Sequence, residues 1–171
     1  KTKRNATIGN LFVMSRIVVP FILLLTAFLF ACTNNCYLPK RALLGVSFVD
    51  STALKPKDIE NVTVKGVGND SILYDGVSKL NVIYLPLKQN ETSTSFEISF
   101  KATPDESVLR QYILTVSHNS FPQLISEECG CVMFHTVDSA WCDSGLEMPR
   151  IEVFNPNVIN VENDVHLKIY M

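Results

Sequence analysis

Phe96, Ile98 and Phe100 alternate with Glu97, Ser99 and Lys101 in a strict two-residue period. Successive side chains of a β-strand point to opposite faces, so this pattern makes a strand with one dry and one wet face and excludes a helix there. Val165, Leu167, Ile169 and Met171 alternate in the same way with His166, Lys168 and Tyr170, which puts His166 on the wet face. Further strands are expected at Leu43–Val49, Asn61–Val67, Leu80–Leu87, Gln111–Ser117, Cys131–Val137 and Arg150–Phe154, with turns at Gly66–Asp70, Asp75-Gly76 and Asn155-Pro156-Asn157. Only Thr103-Pro104-Asp105-Glu106 carries a helix-start pattern, and the strand close behind it limits it to a single turn. About eight short strands at regular spacing predict an antiparallel β-sandwich, immunoglobulin-like in broad form, with a small closed β-barrel as the alternative. The long connections are Asp50–Glu60 and Asp138–Pro149, where binding residues of such folds commonly lie.

The chain is 171 residues long, enough for one domain of ordinary size. Its charge is divided unevenly. Residues 1–31 carry Lys1, Lys3, Arg4 and Arg16 and no acid, whereas residues 32–171 hold 11 basic and 17 acidic side chains, a charge near −6. That surplus speaks against a nucleic-acid partner. From Ile17 to Ala31 runs an uncharged stretch of fifteen residues, IVVPFILLLTAFLFA. A membrane-spanning helix needs about 20, whereas this length suits the apolar core of an export signal, with Arg16 before it and Met14 as a natural start.

The stretch ends Leu29-Phe30-Ala31-Cys32, which resembles the lipobox of bacterial lipoproteins. The resemblance implies cleavage before Cys32 and diacylglycerol on its thiol, where chains at about 0.8 kcal/mol per buried CH₂ anchor a protein stably. An ordinary signal peptide and an uncleaved anchor are the other readings. Residues 1–31 are thus the export signal with an upstream extension, 32–42 a lipidated tether and 43–171 the folded domain. Thr33 rather than Asp follows the cysteine, and no acid occurs before Asp50. The first favours the outer membrane over retention in the inner membrane, and the second favours a periplasm-facing position over display at the cell surface.

Cys36, Cys129, Cys131 and Cys142 remain, an even set that in an exported protein suggests two disulfides. Cys129 and Cys131 flank Gly130 too closely to pair with each other without strain. Cys36 then bonds one of them and Cys142 the other, and the Cys36 link alone is worth about 4–5 kcal/mol in idealised loop-closure terms. A metal site from Cys129, Cys131, Cys142 and His135 competes, but it departs from the usual C-x₂-C spacing of zinc sites. No C-x-x-C motif suggests a redox dithiol.

The lipobox cysteine, the β-rich body, the strand QYILTVS, the stretch Ser126-Glu127-Glu128-Cys129-Gly130, the strand from Arg150 and the terminal HLKIY together form a recognisable layout. It is similar to a family of small Bacteroidetes lipoproteins of unknown function, over most of residues 32–171. The resemblance implies an envelope partner such as an outer-membrane barrel and implies no activity.

Motifs for catalysis, phosphate cradling or cofactor binding are missing from the sequence, and no cofactor is expected. Gly66-Val67-Gly68 lacks the later glycine of a phosphate loop and reads as a turn. His118 closes a strand in a turn-like segment, and His135 shares a strand face with Cys131 and Met133 and comes near His118. A Cys/His pair there would support nucleophilic chemistry if the thiol were free. The adjacent acids Asp105-Glu106 and Glu127-Glu128 point to opposite sides and make no acid/base pair. Trp141, in the polar stretch 138–145, either stacks on a sugar or partner or covers a Cys142 disulfide. The chain therefore reads as a non-enzymatic binding or scaffolding module of the bacterial envelope. A glycan- or ligand-binding module using 138–149 is the alternative, and a thiol or hydrolytic enzyme comes third.

Overall fold

The structure, a computed structural model, describes residues 41–68, 71–103, 107–127, 129–143, 149–159 and 164–171. The export signal, Cys32, Cys36 and the Pro104–Glu106 turn lie outside the described residues. Among the described residues ten strands follow in order: β1 (Leu43–Val49), β2 (Glu60–Gly66), β3 (Ile72–Val77), β4 (Val82–Pro86), β5 (Ser93–Lys101), β6 (Arg110–Ser126), β7 (Gly130–Asp143), β8 (Arg150–Val153), β9 (Asn157–Val158) and β10 (Leu167–Tyr170). They form a four-stranded sheet of order β4-β1-β10-β8 and a six-stranded sheet of order β3-β2-β5-β6-β7-β9. All pairings are antiparallel except β1 with β10. Two open sheets make this an all-β, sandwich-like fold rather than a closed barrel.

The period-2 pattern accounts for the core. Phe96, Ile98 and Phe100 of β5 are buried, as are Tyr112, Leu114 and Val116 of β6, and they meet Leu44, Val46 and Phe48 of β1 and Leu167 and Ile169 of β10. Phe48 and Phe100 have ring centroids 5.6 Å apart, and Phe100 and Tyr112 5.7 Å, in tilted contacts. Aromatic pairs of this kind contribute about 1 kcal/mol each beyond their buried area.

Departures from the expected pattern have identifiable causes. Strand β3 covers the expected Asp75-Gly76 turn, and it accommodates Gly76 at φ +59° through register irregularities against β2. Strands β6 and β7 run far beyond Ser117 and on either side of 131–137. Pro122 lies inside β6, at a point beyond the end of β5, whose pairing stops at Ser93–Ser117. The outer edge of β6 is unpaired by β5 there, so the missing N–H costs no ladder bond.

His166 is the clearest reversal of an expectation: it is fully buried. It sits just before β10 and clasps Gly45, whose N–H donates to His166 Nδ1 at 2.9 Å and whose carbonyl accepts the His166 N–H at 2.8 Å. A Cβ on Gly45 would lie 2.0 Å from the Asp164 carbonyl oxygen, so only glycine allows this approach.

Candidate functional site

Three groups of chemistry-bearing residues are placed by the long β6–β7 hairpin. Their positions turn on one irregularity. Ser117 pairs with Ser139 but His118 with Val137, so Asp138 is an extra residue in β7, a β-bulge. On the Gly130 side of it, Val137 and His135 face inward and are buried, whereas on the other side Cys142 and Ala140 take the inward positions. The bulge therefore turns Trp141 outward. Trp141 is 45% exposed, on a strand rather than in a loop, and does not cover a disulfide at Cys142.

The outer face around Trp141 is flat and mixed. Ser95, Thr115 and Trp141 are in register across β5, β6 and β7, and the Ser95 and Thr115 hydroxyls lie 2.9 Å apart. The next row is Glu97, Ile113 and Asp143, with Ile113 40% exposed. Gln111 Nε2 donates to Glu97 Oε1 at 2.8 Å and so keeps that carboxylate against the sheet. An indole with hydroxyls on one side and an amide–carboxylate pair nearby offers a stacking surface flanked by donors and acceptors.

The second group is buried. His118 does not close a strand; it lies within β6 and is fully buried, and His135 is 2% exposed. Their rings stand edge to face with centroids 5.4 Å apart, so the expected proximity of the two is realised. Thr94 Oγ1 lies 2.8 Å from His118 Nε2, and Ser120 Oγ lies 3.3 Å from His118 Nδ1 and 2.8 Å from His135 Nδ1. One proton arrangement satisfies the whole chain. Lys88 N–H donates to Thr94 at 3.0 Å, Thr94 O–H to His118 Nε2, His118 Nδ1–H to Ser120, and Ser120 O–H to His135 Nδ1. Both rings are then neutral. Burial holds His118 below the usual histidine range against the opposing pull of Asp138 and Glu91. His135 is pushed down to about 4, by burial first and by neighbouring His118 second. Nothing in the sequence around Thr94 or Ser120 signals this network, which needs β5 and β6 in register to form.

The cysteines are not where a nucleophile or a second disulfide needs them. Cys131 is an exposed free thiol and Cys142 a buried free thiol, so the expected bridge from Cys142 to Cys129 or Cys131 is not formed. Cys131 and Cys142 sit eleven residues apart along β7, roughly 35 Å at the usual strand rise, far beyond disulfide reach. Cys129 is disulfide-bonded. Cys131 is also four residues from His135 on the same strand, roughly 13 Å away, too far for a thiol–imidazole pair. Burial, with Asp143 adding to it, raises the Cys142 thiol to about 12 and keeps it an inert core group. Among the described residues no three His, Cys, Asp or Glu side chains gather as metal ligands, which sets aside the Cys129, Cys131, Cys142 and His135 site. Glu127 is exposed, and its neighbour Glu128 and the Asp105-Glu106 pair lie outside the described residues.

Residues 61–171 match a sequence family described as Family of unknown function (DUF6452). Neither a curated protein nor a solved structure matches the chain.

Proposed function

The chain belongs to this family of unknown function, and on that footing we propose that it is a non-enzymatic binding module of the bacterial envelope whose contact surface is the solvent face around Trp141. The observation that carries the reading is that a bulge at Asp138 turns a large aromatic out of the core and into a row of hydroxyls. Trp141 does not stand alone on that face: Ile113, in the neighbouring row, is also exposed, and the two apolar side chains are rimmed by polar groups. The ligand class that fits is a neutral glycan. A sugar ring presents an apolar C–H face for the indole and hydroxyls for Ser95 and Thr115, and the surplus acids disfavour an anionic polymer on this face. Lipid on Cys32 would hold the module at the outer membrane on its periplasmic side, the reading that the Leu29–Cys32 lipobox supports.

Calorimetric titration of the protein with neutral envelope oligosaccharides tests this. Trp141→Ala should weaken binding at least tenfold while leaving the unfolding midpoint within a few degrees. Equal affinity of the two proteins would remove this face from the account. A second reading, docking of an envelope protein such as an outer-membrane barrel, draws on the far part of the β6–β7 hairpin, where Phe121 and Leu124 are 40% and 59% exposed. That reading predicts that Leu124→Ser, and not Trp141→Ala, abolishes a cross-link to the barrel.

A further inference from the structure

A cleft of about 450 Å³ opens where the two sheets part at one end of the sandwich. Arg110 and Tyr112 line it from β6 of the six-stranded sheet, Arg150 and Tyr170 from β8 and β10 of the four-stranded sheet, and Ser51 from the connection after β1. Its size is in the range of small-molecule sites. Its composition stands out against the rest of the domain. From residue 41 onward the chain has three arginines amid an excess of acids, and two of the three line this one cleft.

The arginine side chains are held rather than free-floating. Arg150 and Tyr170 are paired across β8 and β10, and the guanidinium carbon lies 4.4 Å from the centre of the Tyr170 ring. The ring is itself pinned, because its hydroxyl donates to Glu152 Oε2 at 2.5 Å. Arg150 reaches that same carboxylate oxygen only at 3.8 Å, so Glu152 attracts the charge without closing on the planar fork of donors. Arg110 has an interaction partner of its own, and a guanidinium carries five N–H donors in all. Tyr112 is 8% exposed and presents a firm aromatic wall beside Arg110.

We propose that this cleft binds a small organic molecule through a compact oxyanion, a carboxylate or a phosphate, gripped between Arg110 and Arg150 with its organic part against Tyr112 and Tyr170. Fork-shaped guanidinium groups match such oxyanions in two-point hydrogen bonds, and the two arginines come from different sheets, so the bound group would bridge the layers. The site is distinct from the Trp141 face, which lies on the outer surface of the same sheet, and it does not depend on the glycan reading.

Phenyl phosphate is a suitable probe, titrated into the full chain at fixed ionic strength and followed by calorimetry, with inorganic phosphate in a parallel titration. The wild type should bind phenyl phosphate saturably with one site, and inorganic phosphate more weakly because it lacks the ring. Arg150→Gln, at a side chain that is 72% exposed and so removable without disturbing the core, should weaken binding at least tenfold. Lys65→Gln removes the same charge from the other side of the six-stranded sheet and should leave affinity within twofold. Absence of saturable binding, or an equal loss in the Lys65 and Arg150 variants, would overturn the proposal.

Discussion

His135 shows how much a single residue depends on neighbours that are distant in sequence. Its ring is held neutral first because burial penalises charge and second because His118 stands beside it, while the Ser120 hydroxyl lies 2.8 Å from its Nδ1. A histidine whose folded pKa is lowered is bound by more protons in the unfolded chain, so its contribution to stability is intact above the unfolded pKa, about 6.5, and is lost as pH falls toward the folded value of about 4. For His135 that loss is on the order of 2–3 kcal/mol, and buried His118 and His166 shift in the same direction. Chemical unfolding followed between pH 7 and pH 4.5 should therefore show falling stability, and His135→Leu should flatten the fall. An unchanged pH slope in that variant would mean that the ring is not buried neutral. The sequence puts His135 on a strand face with Cys131 and Met133 and near His118, so its proximity to His118 is legible there, while its burial is not. His166 is misplaced by the alternation, because it lies one residue outside β10 and takes its position from Gly45 rather than from the strand period.

At the scale of elements, the β6–β7 hairpin carries most of what the sequence hides. The sequence puts Trp141 in the polar stretch 138–145 and ends a strand at Ser117, whereas β6 and β7 run through both places. An extra residue at Asp138 inverts the alternation and turns Trp141 outward, and an edge unpaired by β5 tolerates Pro122 within β6. Deleting Asp138 tests the first point. Without the bulge, one side of β7 must flip its faces, burying Trp141 or exposing His135 and Val137. The expected result is a loss of several kcal/mol of stability, or failure to fold cooperatively. A deletion variant of native stability with Trp141 still exposed would show that the bulge is not what aims it. By contrast, β1 is located to the residue by its apolar run, and the two-residue period marks β5 from Phe96 to its end at Lys101, missing only Ser93–Ser95.

For the whole molecule, the β-sandwich follows from many short amphipathic strands, while the working surfaces do not, because they arise where strands from separate parts of the chain come into register. Trp141, Thr115 and Ser95 span 47 positions in the chain and one row of the sheet. The proposed lipid anchor rests on the Leu29–Cys32 stretch, and intact mass of the membrane-extracted protein checks it. A mature species beginning at Cys32 with added acyl mass is expected, whereas an unmodified Cys32 would contradict the lipid anchor. Binding of a neutral glycan at the Trp141 face has a built-in reporter, because Trp141 is the sole tryptophan of the chain. Its emission should shift to the blue and saturate as a neutral envelope oligosaccharide is added, since a stacked sugar excludes water from the indole. Binding detected by calorimetry with no change in that emission would contradict the claim directly.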